Sequence, residues 1–308
     1  MKIIQRLNKN VKKPSDVINI IKKIKGSKFL KFCKHNLYFT AGLIIFIALV
    51  IIGFGNFAPY DPRRWNSAPK EVPPCWKHPL GTTTLGQDLF WLLTYAIRNS
   101  LTLGITASVV GLIIGVILGL IAGYKGGLVE KIILFFADTM IVIPTLPLII
   151  LIASLIKIRL NMFLLALIIA SINWSHPVRN VRAQILSLRE RDFVATSLFS
   201  GSSSLRIMLF EFMPHILPWI LSALVNRTIN AIGTEITLAI FGLSTLGEAT
   251  LGTLIYWADL YQALVRGVWW WMATPIIGVA LLFLSLYAIA IGINEYLNPR
   301  ARVMRVGV

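Results

Sequence analysis

Long apolar runs constrain this chain of 308 residues more than any other feature. A membrane-spanning helix needs roughly 20 mostly apolar residues. The runs predict spans at Leu37–Phe57, Ser100–Tyr124, Val129–Ile156, Leu160–Trp174, Ile216–Leu243 and Trp269–Ile293. Only 14% of the residues are charged, whereas soluble domains have about 25%. We therefore expect an all-α integral membrane protein with six transmembrane helices.

Basic residues at the start of the chain account for most of its net charge of +17. Residues 1–34 contain eleven lysines and arginines and a single acid, Asp16. Because this basic segment directly precedes a span, it is typical of a cytoplasmic anchor that faces anionic lipid. We expect membrane lipid, and no nucleic acid, as its partner.

The distribution of lysine and arginine predicts a multi-pass protein of the plasma or inner membrane with both termini in the cytoplasm. Cys33 and Cys75 then lie on opposite sides of the first span, so they cannot form a disulfide within one chain. The predicted organisation is a basic cytoplasmic segment 1–36, a first span 37–57, an extracytoplasmic loop 58–99, a transmembrane core 100–293 with a cytoplasmic loop 175–215, and a cytoplasmic tail 294–308.

Two spans carry residues that predict how helices pack or bend. In the second span, small residues recur at every fourth position: Ala107, Gly111, Gly115, Gly119 and Gly123. This spacing lets a second helix approach closely in lipid. In the third span, Pro144 and Pro147 each remove a backbone donor and can kink the helix.

The fifth span is the most polar. Its candidate translocation residues are Asn226, Asn230, Thr234 and Thr237, which fall within an arc of about 80° on a helix. Such a stripe either lines a wet pathway or bonds to neighbouring helices. Two charges inside predicted spans join the candidates: Arg227, whose partner would be Glu235, a substrate group or another subunit, and Asp138, for which structural pairing is favoured.

The loop after the fourth span is too long and polar for a simple turn. It has a helical pattern, a break at Gly201-Ser202-Ser203-Ser204, and then a new amphipathic segment. This predicts a short helix at Arg191–Ser200 between two longer ones. The alternative is a solvated basic loop.

This loop resembles the ATPase-coupling motif of ABC importer permeases of the dipeptide/oligopeptide/nickel family. The residues in register with that motif are Val194, Gly201, Ser203, Arg206, Ile207 and Pro214. The chain departs from it where Ala195-Thr196-Ser197 replaces Glu-Ala-Ala and Met213 replaces a leucine. The missing glutamate removes one expected ion pair to the ATPase.

Further matches to the family lie outside the loop. They are His78-Pro79-Leu80-Gly81-Thr82 with Gly86-Gln87-Asp88, Ala122-Gly123-Tyr124 with Gly126-Gly127, Glu235-Ile236-Thr237-Leu238 with Phe241-Gly242-Leu243, and Leu297-Asn298-Pro299-Arg300. The resemblance thus covers residues 37–300 and implies a type I ABC importer permease fold with a cytoplasmic coupling helix.

The resemblance implies that ATPase coupling is performed by the residues around the short helix. They are Arg191, Asp192, Phe193, Val194, Ala195, Thr196, Ser197, Leu198, Phe199, Gly201, Ser202, Ser203 and Arg206. The implied partners are a homologous second permease subunit, two ATPase subunits that bind ATP and Mg²⁺, and an extracytoplasmic solute-binding protein. We expect no cofactor, metal site or catalytic residue in this chain, which has no G-x-x-x-x-G-K-[ST] phosphate loop.

The resemblance favours short peptides as the substrate over oligosaccharides or nickel. An ion-coupled secondary transporter, with Asp138 or Arg227 coupling the ion, is the alternative from another class of transporter. A membrane-embedded enzyme is disfavoured because the histidines His35, His78, His176 and His215 are scattered and lack metal-binding spacing.

Overall fold

A computed structural model describes Cys33 and residues 36–55, 58–155 and 161–297. Most of the basic segment 1–36, the ends of three predicted spans (Phe57, Ile156 and Leu160), and the Asn298-Pro299-Arg300 part of the final motif lie outside the described residues. Within them all the regular secondary structure is helical, apart from one isolated β-bridge between Thr82 and Asp88 in the loop before the second helix. The all-helical prediction is confirmed.

The helices are numbered in chain order. They are α1 (Leu37–Phe54), α2 (Leu89–Lys125), α3 (Gly127–Val142), α4 (Thr145–Leu155), α5 (Met162–Asn173), α6 (Ser175–Arg189), α7 (Asp192–Phe199), α8 (Ser204–Arg206), α9 (Met213–Ile240), α10 (Leu251–Leu260) and α11 (Trp269–Leu297). A π-helical turn, Ile207–Phe212, joins α8 to α9.

Among the described residues, 4 helical segments are long and apolar enough to cross a membrane: α1, α2, the continuous segment Ser204–Ile240, and α11. Two bent pairs also pass this test, α3 with α4 at 89° and α5 with α6 at 45°, and they bring the number of spans to 6 when each pair counts as one. The sharper bend falls at Pro144, where Ile143 adopts an extended backbone. A residue before proline is driven out of the helical region, which explains this break.

Two helices include residues outside the predicted spans. Helix α2 starts at Leu89, inside the predicted loop 58–99, because the carboxylate of Asp88 caps it by accepting a hydrogen bond from Phe90 N at 2.9 Å. The first turns of α2 are less apolar because they contain Tyr95, Arg98 and Asn99. Hydropathy alone therefore predicted a start at Ser100, which is too late. Helix α10 follows the fifth span, and its N-cap is Thr250.

Helix α2 lies at the centre of the bundle. Its small residues allow neighbouring helices to pack closely against it. A Cβ added at Gly115 would lie 2.5 Å from Pro177 Cβ, and one at Gly119 would lie 2.7 Å from Val181 Cβ. A Cβ at Gly123 would likewise meet Ile185 Cβ at 2.7 Å. The predicted close packing is therefore confirmed; the partner of the last three glycines is α6, and at Gly111, where an added Cβ would lie 3.3 Å from Ala170 O, it is α5.

The bundle has two ends that matter for function. At one end, Trp270 Nε1 donates to Thr82 O just before α2 begins. We call this the Trp-rich end. At the opposite end of α2, Tyr124 contacts Phe212 of the π-helical turn, with ring centroids 6.1 Å apart. This second end carries α7, and we call it the short-helix end.

Candidate coupling site and translocation pathway

Helix α7 lies where the sequence places the coupling helix. The prediction of Arg191–Ser200 is confirmed to within one residue at each end, since Arg191 and Ser200 are its caps. The predicted break is also present, because Gly201 has a φ of +74°. Ser203 Oγ then accepts a hydrogen bond from Arg206 N and starts α8.

One side of α7 is held against the bundle by three different contacts. Val194 is buried in an apolar cluster with Ile185, Ile207 and Phe212. The ring of Phe193 stacks on His215, with centroids 5.0 Å apart and planes at 5°. Ser197 Oγ donates a hydrogen bond to Glu211 Oε1 at 2.9 Å. The short helix is thus attached to the π-helical turn and the first turn of α9.

The other side of α7 is exposed and partly apolar. Ala195, Thr196 and Leu198 are exposed, and Phe199 is 93% exposed. Gly201, Ser203 and Arg206 continue this surface, whereas Ser202 is half-buried. A contiguous exposed apolar patch with a polar rim is typical of an interaction surface.

Two residues that hold α7 in place, Glu211 and His215, were not predicted as site residues. Glu211 and His215 are 14 and 18 positions beyond Ser197, and no motif singles them out. His215 Nδ1 lies 2.8 Å from the carbonyl oxygen of Glu211 and donates to it, because a carbonyl oxygen can only accept. The π-helical turn around Glu211 is a local signal of function, since such turns occur frequently at functional sites, but it is visible only in the structure.

Charged contacts attach α6 to its neighbours at the short-helix end. Arg182 Nε donates to Glu130 Oε1 of α3 at 2.6 Å, and Arg189 Nη1 donates to the carbonyl oxygen of Tyr124 at 3.2 Å. Asp138 of α3 lies 3.4 Å from Arg179 Nε of α6, and both side chains are half-exposed. Asp138 therefore has a structural ion pair, as the sequence favoured, and is not brought into contact with the polar stripe of α9.

The polar stripe of α9 remains open to its surroundings. Asn226, Thr234 and Thr237 are half-buried, and Asn230 is exposed. The side chains of Asn226, Thr234 and Thr237 donate to carbonyl oxygens of their own helix, those of Ser222, Asn230 and Gly233. Among the described residues, none of these hydrogen bonds reaches another helix. The stripe thus lies on a face of α9 that this chain leaves accessible.

Arg227 and Glu235 have separate partners. Arg227 Nη1 donates to the carbonyl oxygen of Asn173, the last residue of α5, at 2.9 Å. Glu235 is fully buried, and its Oε1 accepts hydrogen bonds from Ser244 Oγ at 2.9 Å and Thr250 Oγ1 at 2.7 Å. The Arg227–Glu235 pair considered from the sequence is not formed. Glu235 instead attaches the segment that leads into α10.

The loop before α2 is fixed by polar contacts at the Trp-rich end. His78 Nδ1 lies 2.6 Å from Asp88 Oδ2, and both side chains are buried. Arg63 connects the loop to the segment before α10, because its Nη1 lies 3.2 Å from Glu248 Oε2. A hydrogen bond from Arg63 lowers the pKa of Asp61 below its ordinary value. Across the described part of the chain, no group of His, Cys, Asp and Glu side chains is arranged to hold a metal ion.

Comparison with known families agrees with this arrangement. Residues 115–303, more than half of the chain, match the family described as "Binding-protein-dependent transport system inner membrane component". The matched segment includes all the helices from α3 to α11 and the whole of the short-helix end.

Three relatives illustrate the similarity. The oligopeptide transport system permease protein OppC of Mycobacterium bovis is 32% identical over 255 residues, which cover 81% of this chain and 84% of the relative. The dipeptide transport system permease protein DppC of Haemophilus influenzae is 28% identical over 284 residues, with 89% and 95% covered. DppC of Bacillus subtilis is 28% identical over 272 residues, with 87% and 84% covered. The chain belongs to the family of inner membrane components of binding-protein-dependent transport systems.

Proposed function

We propose that this chain is the permease subunit of an ATP-driven importer for short peptides and that it forms half of the translocation pathway. The observation that carries this proposal is the arrangement of α7. One side of this short helix is fixed to the bundle through Val194, Phe193 and Ser197, and the other side is free for a partner. A helix held in this way can pass the movement of a docked protein to α9.

The proposed partners follow from the family. A homologous second permease subunit completes the pathway, two ATPase subunits dock at α7, and an extracytoplasmic solute-binding protein delivers the substrate. ATP and Mg²⁺ bind to the ATPase subunits, and we assign no cofactor and no catalytic residue to this chain. A phosphate-binding loop for ATP contains a Gly-Lys pair, and the sequence has none, which supports ATP binding by the partner subunits.

Peptides are the substrate that the relatives support. OppC is a permease protein of an oligopeptide transport system, and DppC is one of a dipeptide transport system. Oligosaccharides and nickel, which the wider family resemblance left open, have no comparable support. Membership of a binding-protein-dependent family also favours the ATP-driven importer over an ion-coupled secondary transporter.

We place the short-helix end and both termini in the cytoplasm, as the distribution of lysine and arginine predicts. The polar stripe of α9 with Arg227 then lines the pathway opposite the second permease subunit. The support is physical: polar side chains within membrane spans rarely face lipid, and those of the stripe are left accessible by this chain.

The test is reconstitution of the chain with its partner subunits in proteoliposomes. We expect ATP hydrolysis to be stimulated by a peptide-loaded binding protein and to drive peptide uptake. Uptake by this chain alone, driven by an ion gradient, would contradict the proposal. Binding measurements on the cognate binding protein, with peptides and oligosaccharides in parallel, test the substrate class separately.

A further inference from the structure

An apolar groove runs down the outer surface of the bundle from the Trp-rich end. It has a volume of about 200 Å³ and lies between α1, α2 and α11. Leu49 contributes from α1 and Leu93 from α2, while Trp269, Ala273 and Leu281 line it along α11. All three helices are apolar enough to span a membrane. The groove therefore lies at membrane depth on the outer surface of this chain.

Water has little to bind in this groove. None of the residues that line it is charged. The only hydroxyl among them, that of Thr274, donates to the carbonyl oxygen of Trp270 at 2.7 Å, and Trp270 Nε1 donates to Thr82 O at 3.0 Å. A buried water needs polar partners, and apolar cavities without them stay dry. The occupant that matches this lining is a hydrocarbon.

The groove is about as long as the hydrocarbon layer of one membrane leaflet and begins at the level expected for the headgroups. From Trp269 to Leu281 the groove follows α11 for about 18 Å, given a rise of about 1.5 Å per residue. One leaflet contributes about 15 Å of hydrocarbon, half of the bilayer core. Tryptophans concentrate at the membrane interface, so Trp269 marks the headgroup level and Leu281 lies deep in the leaflet.

The groove also opens to the bilayer. Trp269 and Ile277 are exposed, as are Ile276 and Leu284 on the adjoining surface of α11. A chain that leaves the bulk leaflet can therefore enter sideways without crossing a polar barrier. We propose that this groove binds one acyl chain of a phospholipid from the leaflet that contains the Trp-rich end.

The first test counts retained lipids by native mass spectrometry. The full chain is released from nanodiscs made only of palmitoyl-oleoyl phosphatidylglycerol. Ala273→Phe fills the groove, whereas Ala280→Phe adds the same side chain to an exposed position on the same helix outside it. We expect the wild type and Ala280→Phe to retain one phospholipid that Ala273→Phe loses. Equal retention by all three proteins, or retention of a free fatty acid mass instead, would overturn the proposal.

The second test needs no variant, so it decides the question even if Ala273→Phe does not fold. The wild-type chain is illuminated in nanodiscs that contain a phosphatidylglycerol with a diazirine on its acyl chain. We expect adducts to be enriched on Leu93 and Ala273, which are half-buried, over exposed apolar residues of α3 such as Ile132 and Phe136. Equal labelling of the two sets would contradict the proposal. This inference does not depend on the transported substrate.

Discussion

The hydroxyl of Ser197 in α7 donates a hydrogen bond to the carboxylate of Glu211 in the π-helical turn, with Oγ and Oε1 2.9 Å apart. This contact connects the exposed short helix to the segment that continues into α9. It lies beside the stack of Phe193 on His215. These two contacts are the physical connection from α7 to α9 on which the proposed coupling depends.

The Ser197–Glu211 contact gives the first prediction. We expect Ser197→Ala and Glu211→Ala each to lower peptide transport per ATP hydrolysed, because hydrogen bonds to charged groups contribute about 1.5–3 kcal/mol. Assembly with the ATPase subunits should be unchanged, since neither variant alters the exposed side of α7. Transport and ATP hydrolysis measured together in proteoliposomes check this.

The double variant provides the control for that prediction. If the two residues act through one bond, Ser197→Ala with Glu211→Ala should be no worse than either single change. Fully additive losses would contradict the direct link. Ser200→Ala is the matched comparison, because the Ser200 hydroxyl is exposed and donates only to Thr196 O within its own helix.

Gly201 is predicted to be sensitive to backbone geometry and not to size. Its φ is +74°, and an added Cβ would meet nothing within 4 Å. Left-handed backbone costs about 1–2 kcal/mol for most residues, and asparagine tolerates it better. We expect Gly201→Val to uncouple transport from ATP hydrolysis with the chain still inserted, and Gly201→Asn to retain most coupling. Equal transport by both variants would count against a conformational role.

Arg227 is predicted to be needed for transport more than for insertion. Its guanidinium bonds to the carbonyl oxygen of Asn173 and so connects α9 to the end of α5 beside the polar stripe. We expect Arg227→Ala to reduce peptide uptake with normal amounts of chain in the membrane fraction, and Arg227→Lys to be less impaired. If Arg227→Ala fails to fold, Arg227 is instead a structural partner.

Glu235 is predicted to act as a hydrogen-bond acceptor. Glu235→Gln keeps an oxygen for the hydroxyls of Ser244 and Thr250, so we expect near wild-type thermal stability. Glu235→Ala leaves both hydroxyls without this acceptor, at a cost of about 1–3 kcal/mol for each buried group. Thermal unfolding of the purified chain in detergent checks the order. A larger loss for Gln than for Ala would contradict this role.

The helix contact at Gly119 gives a prediction with an internal control. A Cβ at Gly119 would lie 2.7 Å from Val181 Cβ and 2.9 Å from Val178 O, so Gly119→Ala should destabilise the chain by about 1–3 kcal/mol. At Gly233, inside α9, the nearest atom to an added Cβ is 3.9 Å away. There the same substitution should be neutral or stabilise the helix by up to about 1 kcal/mol. Thermal unfolding should separate the two, and equal shifts would contradict the packing argument.

Local features of the sequence predicted the fold class, the approximate positions of the spans and the location of the short helix α7. Apolar runs must be buried in lipid, so their length predicts spans. The small residues of α2 identified a close helix contact, and Gly201 identified the end of α7. These features are local in the sequence, so the periodicity of a helix is enough to predict which residues share a face.

Other features depend on residues that are distant in the sequence. The start of α2 at Leu89 depends on Asp88, which also contacts His78, and hydropathy does not detect a cap. The 89° bend between α3 and α4 is larger than the presence of Pro144 alone implies. A helix kink has a known cause, but its angle is set by what packs around it.

The pairing of polar groups became visible only once the helices were packed. The tertiary structure paired Asp138 with Arg179, gave Arg227 the carbonyl oxygen of Asn173, and buried Glu235 against Ser244 and Thr250. It also joined Ser197 to Glu211 across the break at Gly201. The physical reason is that hydrogen bonds and ion pairs act over a few ångströms. Their partners are therefore fixed by how the helices pack, which periodicity and composition do not specify.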